Sequence, residues 1–99
     1  MKKLNNVHPG EVLREEFLIP LEISAYRLAK ETFLPQTRIS AILKGKRRVS
    51  ADTALRFAKY FGTTPHFWMG LQDDFDLEEE RSQKHKELND IKPHQHGAA

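Results

Sequence analysis

The stretch Leu34–Ser50, "LPQTRISAILKGKRRVS", decides how the rest of the chain is read. Its apolar residues Ile39, Ile42 and Leu43 run straight into Lys44, Lys46, Arg47 and Arg48. Pro35 forces a helix start and Gly45 is placed to end it in a left-handed cap, so a helix is predicted from Gln36 to about Lys44. At about 100° per residue, Ile39, Ile42 and Leu43 share one side as a buried stripe. Gln36, Thr37, Ser40, Ala41 and Lys44 share the other side. That outer face holds small or flexible donors and acceptors and no acid. It suits a helix lying in a DNA major groove: Gln pairs with adenine, Ser and Thr reach several base edges, and Ala meets a thymine methyl. Arg38 falls off the centre of this face, so a phosphate or rim role is expected for it. Lys46, Arg47 and Arg48 would then meet the phosphates flanking the groove. Such contacts fix register and supply most of the salt-dependent affinity, while base contacts choose the sequence. The other reading of the loop is a solvated turn.

Working outward, Ser24 is a good N-cap for "AYRLAKET", with Leu28 and Ala29 facing inward. Two helices of about two turns joined by the tight link "TFLP" fit a helix-turn-helix. The glycine common in such turns is missing here. Ser24, at a helix N-terminus, is placed to bond a phosphate through its hydroxyl, unless it serves only as a cap. Upstream, "HPGE" starts a helix with Pro9 at its first position, and Val12, Leu13, Phe17 and Leu18 follow helical spacing until Pro20 ends or bends it. Downstream, Ser50 caps "ADTALRFAKYF", whose inward set is Ala54, Leu55, Phe57, Ala58 and Phe61, and Gly62 ends it. Thr64-Pro65 opens a fifth helix, "HFWMGLQDDF". Its apolar residues Phe67, Trp68, Met69 and Leu71 cover more of the circumference than one core-facing stripe needs. They are the candidates for a two-fold interface, because a dimer is what lets a helix-turn-helix read two half-sites. Trp68 is expected mostly in the core, with Phe67 and Met69 closer to the partner copy.

Ninety-nine residues make one domain's worth of chain, and 38% hydrophobic with 30% charged residues describe a globular protein. No segment alternates with period two over strand length. The predicted fold is all-α: a five-helix helix-turn-helix domain with a charged, partly helical or disordered C-terminal tail. The domain is expected over residues 1–76 and the extension over 77–99, with disorder from Pro93. Residues 1–72 carry 12 Lys+Arg against 6 Asp+Glu, and residues 73–99 carry 4 against 8. A basic body with an acidic tail suits a polyanion-binding surface followed by something that must not bind polyanions. The absence of cysteine excludes disulfides, thiol catalysis and cysteine zinc sites, and suits a reducing cytosol. The start "MKKLNNVHPGE" lacks the apolar core of a signal peptide, and no apolar run is long enough to span a membrane. The five histidines, His8, His66, His85, His94 and His96, show no zinc-ligand spacing. There is no phosphate-cradling glycine loop and no nucleophile elbow. No enzyme activity, metal or cofactor is therefore expected, and the partner expected from the residues is double-stranded DNA.

The segments "HPGEVLREEFL", "SAYRLAKE" and "RISAILKGKRRVSADTALRFAKYFGTTPHFWMGLQDDFDL" together resemble the HigA-type antitoxins, some of them called virulence-associated protein I. These belong to the lambda-repressor-like (XRE) helix-turn-helix class, and the resemblance covers roughly residues 7–77. It implies a cytoplasmic homodimer that binds operator DNA in its own promoter, represses it, and neutralises a HigB-type mRNA-cleaving toxin. It also implies groove-facing roles for Gln36, Thr37, Ser40 and nearby residues. Ala25 stands where many members carry a phosphate-holding Gln, which leaves Tyr26 and Arg27 to take that phosphate. Six of the eight residues Asp73–Glu80 are acidic, which fits an arm for a basic toxin or a solvated helix face. The alternative function is a stand-alone or phage-type repressor with no toxin.

Overall fold

The structure, a computed structural model, describes residues 6–94. Among them there are five helices and no strand. Helix α1 runs without interruption through Pro9–Val12, a π-helical stretch Leu13–Leu18, and Ile19–Leu21. The others are α2 (Ala25–Thr32), α3 (Gln36–Leu43), α4 (Ala51–Phe61) and α5 (Pro65–Asp90). No helix is long and apolar enough to cross a membrane among the described residues.

The local devices follow the residue types. Ser24, Ser50 and Thr64 each accept a bond from the backbone N–H three residues on, so each satisfies an orphan donor at its helix start. Gly45 and Gly62 take left-handed φ values of 73° and 76° and close α3 and α4. Pro20 bends the rule for α1 in a specific way. Proline has no N–H and its ring crowds the carbonyl four residues back. The helix widens ahead of it, with Ile19 N–H reaching back five residues to Arg14 O, and stops one residue past it.

The core is built where all five helices meet. Leu13, Leu28, Ile39, Ile42, Val49, Ala54, Phe57 and Trp68 are fully buried. Trp68 lies 5.0 Å from Phe17 and 5.1 Å from Phe57, ring centre to ring centre. Such aromatic pairs contribute about 0.5–1.5 kcal/mol each beyond their buried area. The indole N–H donates to Thr63 Oγ1 at 2.8 Å, so the largest side chain is buried without an orphan donor.

Two expectations change. Leu55, assigned to the inward set of α4, is 59% exposed. The buried positions of α4 are Thr53, Ala54, Phe57 and Ala58, a stripe that leaves Leu55 on the outer side. The fifth helix is longer than the sequence signals marked: it continues to Asp90, with a break in helical φ/ψ at Lys84. The boundary expected at residue 76 therefore falls inside a helix that runs through it. Burial, unlike helicity, does change along α5, and every residue from Glu80 to His94 is exposed. Expectations about the first five residues, and about the disorder and His96 beyond His94, concern positions outside the described residues.

Candidate nucleic-acid interface

Helix α3 is held from behind and from its end. Ile39 and Ile42 are fully buried and anchor its inner side. At its C-terminus, Lys46 N–H bonds Ala41 O at 2.8 Å and Gly45 N–H bonds Ile42 O at 3.0 Å, the two bonds of a Schellman cap. Arg14 Nη2 donates to Leu43 O at 2.7 Å from α1. Gly10 brings the α1 backbone so close that a Cβ there would sit 1.9 Å from Ile42 O. No local pattern shows which helix a first turn will touch, so nothing in the sequence marks Gly10 or Arg14 for this contact.

The outer side of α3 carries the expected residues. Gln36, Thr37 and Lys44 are exposed, and Ser40 and Ala41 are half-buried. Pro35 gives no side-chain cap, and the first turn contains no acid. The N–H groups of Gln36 and Thr37 have no partner among the described residues. A helix start with free donors and no acid attracts anions and acceptors.

The cations after α3 divide into two sets. Lys44, Lys46 and Arg47 are exposed and without a partner among the described residues. Arg48 is paired with Asp76 of α5. Burial pushes the Asp76 carboxyl up, but hydrogen bonds from Arg48 and Gln72 prevail and hold it below the ordinary range. Gln72 is 1% exposed, and its Oε1 accepts the backbone N–H of Val49 at 2.6 Å. Its Nε2 donates to Asp76 at 2.9 Å. Gln72 stands four residues after Trp68, on the same side of the helix, which is the sequence signal that it is buried.

On α2, the Ser24 hydroxyl accepts from Arg27 N–H at 3.0 Å, which leaves its proton free to donate outward. Tyr26 is exposed, and Arg27 is exposed and paired with Glu31 at 3.2 Å. Arg38 is placed differently from the other cations. Its guanidinium donates to Asp52 at 2.9 Å, tying α3 to α4, and its Nε is buried without a partner among the described residues. Asp52 also accepts from Arg56 at 2.9 Å, and the Arg56 and Arg38 bonds hold its carboxyl below the ordinary range. Arg56 in turn donates to Thr32 O at 3.0 Å and so caps α2.

The interface candidates on α5 are not alike. Trp68 is fully buried in its own chain and has no surface left for a partner copy. Phe67 is 39% exposed. Met69 and Leu71 are half-buried and pack against the core. Among the described residues no group of His, Cys, Asp or Glu is arranged to hold a metal ion.

Comparison with known proteins places this geometry. The sequence profile of the helix-turn-helix family matches residues 13–68. Virulence-associated protein I of Dichelobacter nodosus is 45% identical over 71 residues, spanning 72% of this chain and 66% of that protein. The structure of an addiction module antidote protein of the HigA family from Coxiella burnetii superposes with a TM-score of 0.86 at 43% identity, covering 92% of this chain and all of that one. Pseudomonas aeruginosa antitoxin HigA, solved with the higBA promoter, gives a TM-score of 0.86 at 36% identity, covering 90% and 98% of the two chains. A helix-turn-helix with a buried α3 stripe, an acid-free outer face and a basic loop, together with these matches, makes this chain a member of the HigA-type antitoxins of the helix-turn-helix family, a family of DNA-binding proteins rather than enzymes.

Proposed function

We propose that this chain is a sequence-specific DNA-binding antitoxin that acts as a homodimer, represses its own operon and neutralises a HigB-type mRNA-cleaving toxin. One observation carries the DNA reading: the acid-free outer side of α3 ends directly in three exposed cations that no acid among the described residues engages. Gln36, Thr37, Ser40, Ala41 and Lys44 read base edges. Ser24, Tyr26, Arg27, Lys46, Arg47 and Arg48 hold phosphates, with Arg38 at the rim behind them. Phe67, Met69 and Leu71 supply the side chains at the two-fold, with Trp68 rigidifying the helix beneath them. The toxin arm of the proposal is supported by similarity to HigA antitoxins over nearly the whole chain. The acidic residues of the run Asp73–Glu80 other than Asp76, which Arg48 engages, are the complementary surface for a basic ribonuclease.

Fluorescence anisotropy with a duplex of the chain's own promoter, across a salt series, tests the DNA arm. Thr37→Ala is expected to lose preference over random DNA by roughly 1–3 kcal/mol. Arg47→Ala is expected to weaken binding to every sequence alike and to lower the log–log salt slope by about 0.9. A wild-type protein with no preference for that promoter over random DNA would sink autoregulation. Co-expression with a toxin encoded beside it tests the second arm: failure to restore growth removes the antitoxin role and leaves the repressor.

A further inference from the structure

The basic loop follows α3 in sequence, but α3 is not what fixes its far end. After the Schellman cap at Lys46, the next backbone bond the loop makes is from Val49 N–H to the buried Oε1 of Gln72, on α5. Val49 is itself fully buried, so its N–H has no access to water as a substitute. Gln72 spends its other end on Asp76, which in turn engages Arg48. A cap at one end and a buried amide at the other leave Lys46, Arg47 and Arg48 as a short span between two fixed points. We propose that Gln72 is a positioning residue for DNA binding, setting from α5 the path along which the loop presents its cations to phosphate. This rests on the DNA reading above and adds that α5 carries part of the DNA-binding geometry without touching DNA.

The proposal separates Gln72 from its neighbour. Gln72→Leu keeps the volume and removes the acceptor, so the Val49 amide must move to find one. Asp76→Asn keeps an acceptor for Gln72 Nε2 and removes the charge that engages Arg48, so the loop keeps its path. The test compares wild type and the two variants in the anisotropy salt series, with circular dichroism confirming that each is folded. Amide hydrogen exchange is measured at Val49 and along α3 in the free protein. The expected result for Gln72→Leu is faster exchange at Val49 with α3 unchanged. It should bind both promoter and random DNA roughly five- to tenfold more weakly near 0.1 M salt, with the salt slope lower by about 0.9, the loss of one phosphate contact. Asp76→Asn is expected to bind at least as tightly as wild type. A folded Gln72→Leu with wild-type affinity overturns the proposal, because a merely structural role would lower only the melting temperature. An Asp76→Asn loss equal to that of Gln72→Leu also overturns it, assigning the loop to the Arg48 pair instead. If wild type binds no DNA, the reading under Proposed function fails, and unchanged exchange at Val49 in Gln72→Leu would separately show that the residue does not hold the loop.

Discussion

Phe33 occupies the turn position where a helix-turn-helix commonly carries glycine. Its φ is 60°, and its side chain is 86% exposed. An L-residue in the left-handed region brings its Cβ against its own carbonyl, at a cost of about 1–2 kcal/mol, and this side chain recovers none of it by packing. Leu34 N–H still bonds Ala29 O at 2.9 Å, so the turn closes as a glycine turn would. Phe33→Gly is expected to stabilise the protein by about 1 kcal/mol, raising the melting temperature by roughly 4–8 °C. Calorimetry of the two proteins decides it, and a lower melting temperature would mean that the ring is packed in solution. At the same scale Arg38 shows how far a helical wheel reaches. The wheel placed it off the groove face, and contact with Asp52 then gave it a job between helices.

At the scale of the element, α1 depends on an unusual cap. His8 Nδ1 accepts the N–H of Gly10 at 2.9 Å, and the ring lies 4.9 Å from Phe75, edge to face. Only an unprotonated Nδ1 can accept, and Gly10 is the residue that meets α3. Burial lowers the His8 pKa below the ordinary imidazole value, against a smaller raising pull from Asp76. The unfolded chain therefore takes up this proton at a higher pH than the native one. The resulting stability is complete above about pH 6.5 and is lost as pH falls from there through the lowered native value. His8→Asn keeps a side-chain acceptor that does not titrate, so its melting temperature is expected to fall less than that of wild type between pH 7 and pH 5. Parallel curves for the two proteins would show that the cap is not the titrating group.

At the scale of the whole molecule, the dimensions of 55 × 34 × 22 Å reflect a compact body with one long helix leaving it. A helix of 26 residues is about 39 Å long at 1.5 Å per residue, and its last third has no core to rest on. What it has is ion pairs along its own surface, Arg81 with Glu78 at 3.0 Å and Lys84 with Glu80 at 2.8 Å. Exposed pairs of this kind are screened by solvent and contribute little, enough to favour helix and not enough to stabilise the body. A chain ending at Glu80 is expected to melt within about 3 °C of the full chain, because surface changes away from packed features stay near 0.5 kcal/mol. A larger fall would move the proposed subunit interface to the removed segment, away from Phe67, Met69 and Leu71.

The helix starts from α2 onward and the chemistry of the outer side of α3 are legible in local sequence, while the far end of α5 is not. Caps, prolines and glycines act within four residues, so Ser24, Pro35, Gly45, Ser50, Gly62 and Thr64 mark the helix ends where the structure has them. Helical spacing likewise separates Ile39 and Ile42 from Gln36 and Thr37 without reference to any other helix. What each helix rests against follows from packing between distant segments. Leu55 is as apolar as Phe57, and the packing of α4 leaves it outside. Gly10 matters because a carbonyl 32 residues later in the chain comes too close for any Cβ. The hold on the basic loop comes from Gln72, 23 residues from the amide it accepts. Contacts between residues so far apart leave no period and no neighbour pattern to read, since they exist only once the chain has closed on its core.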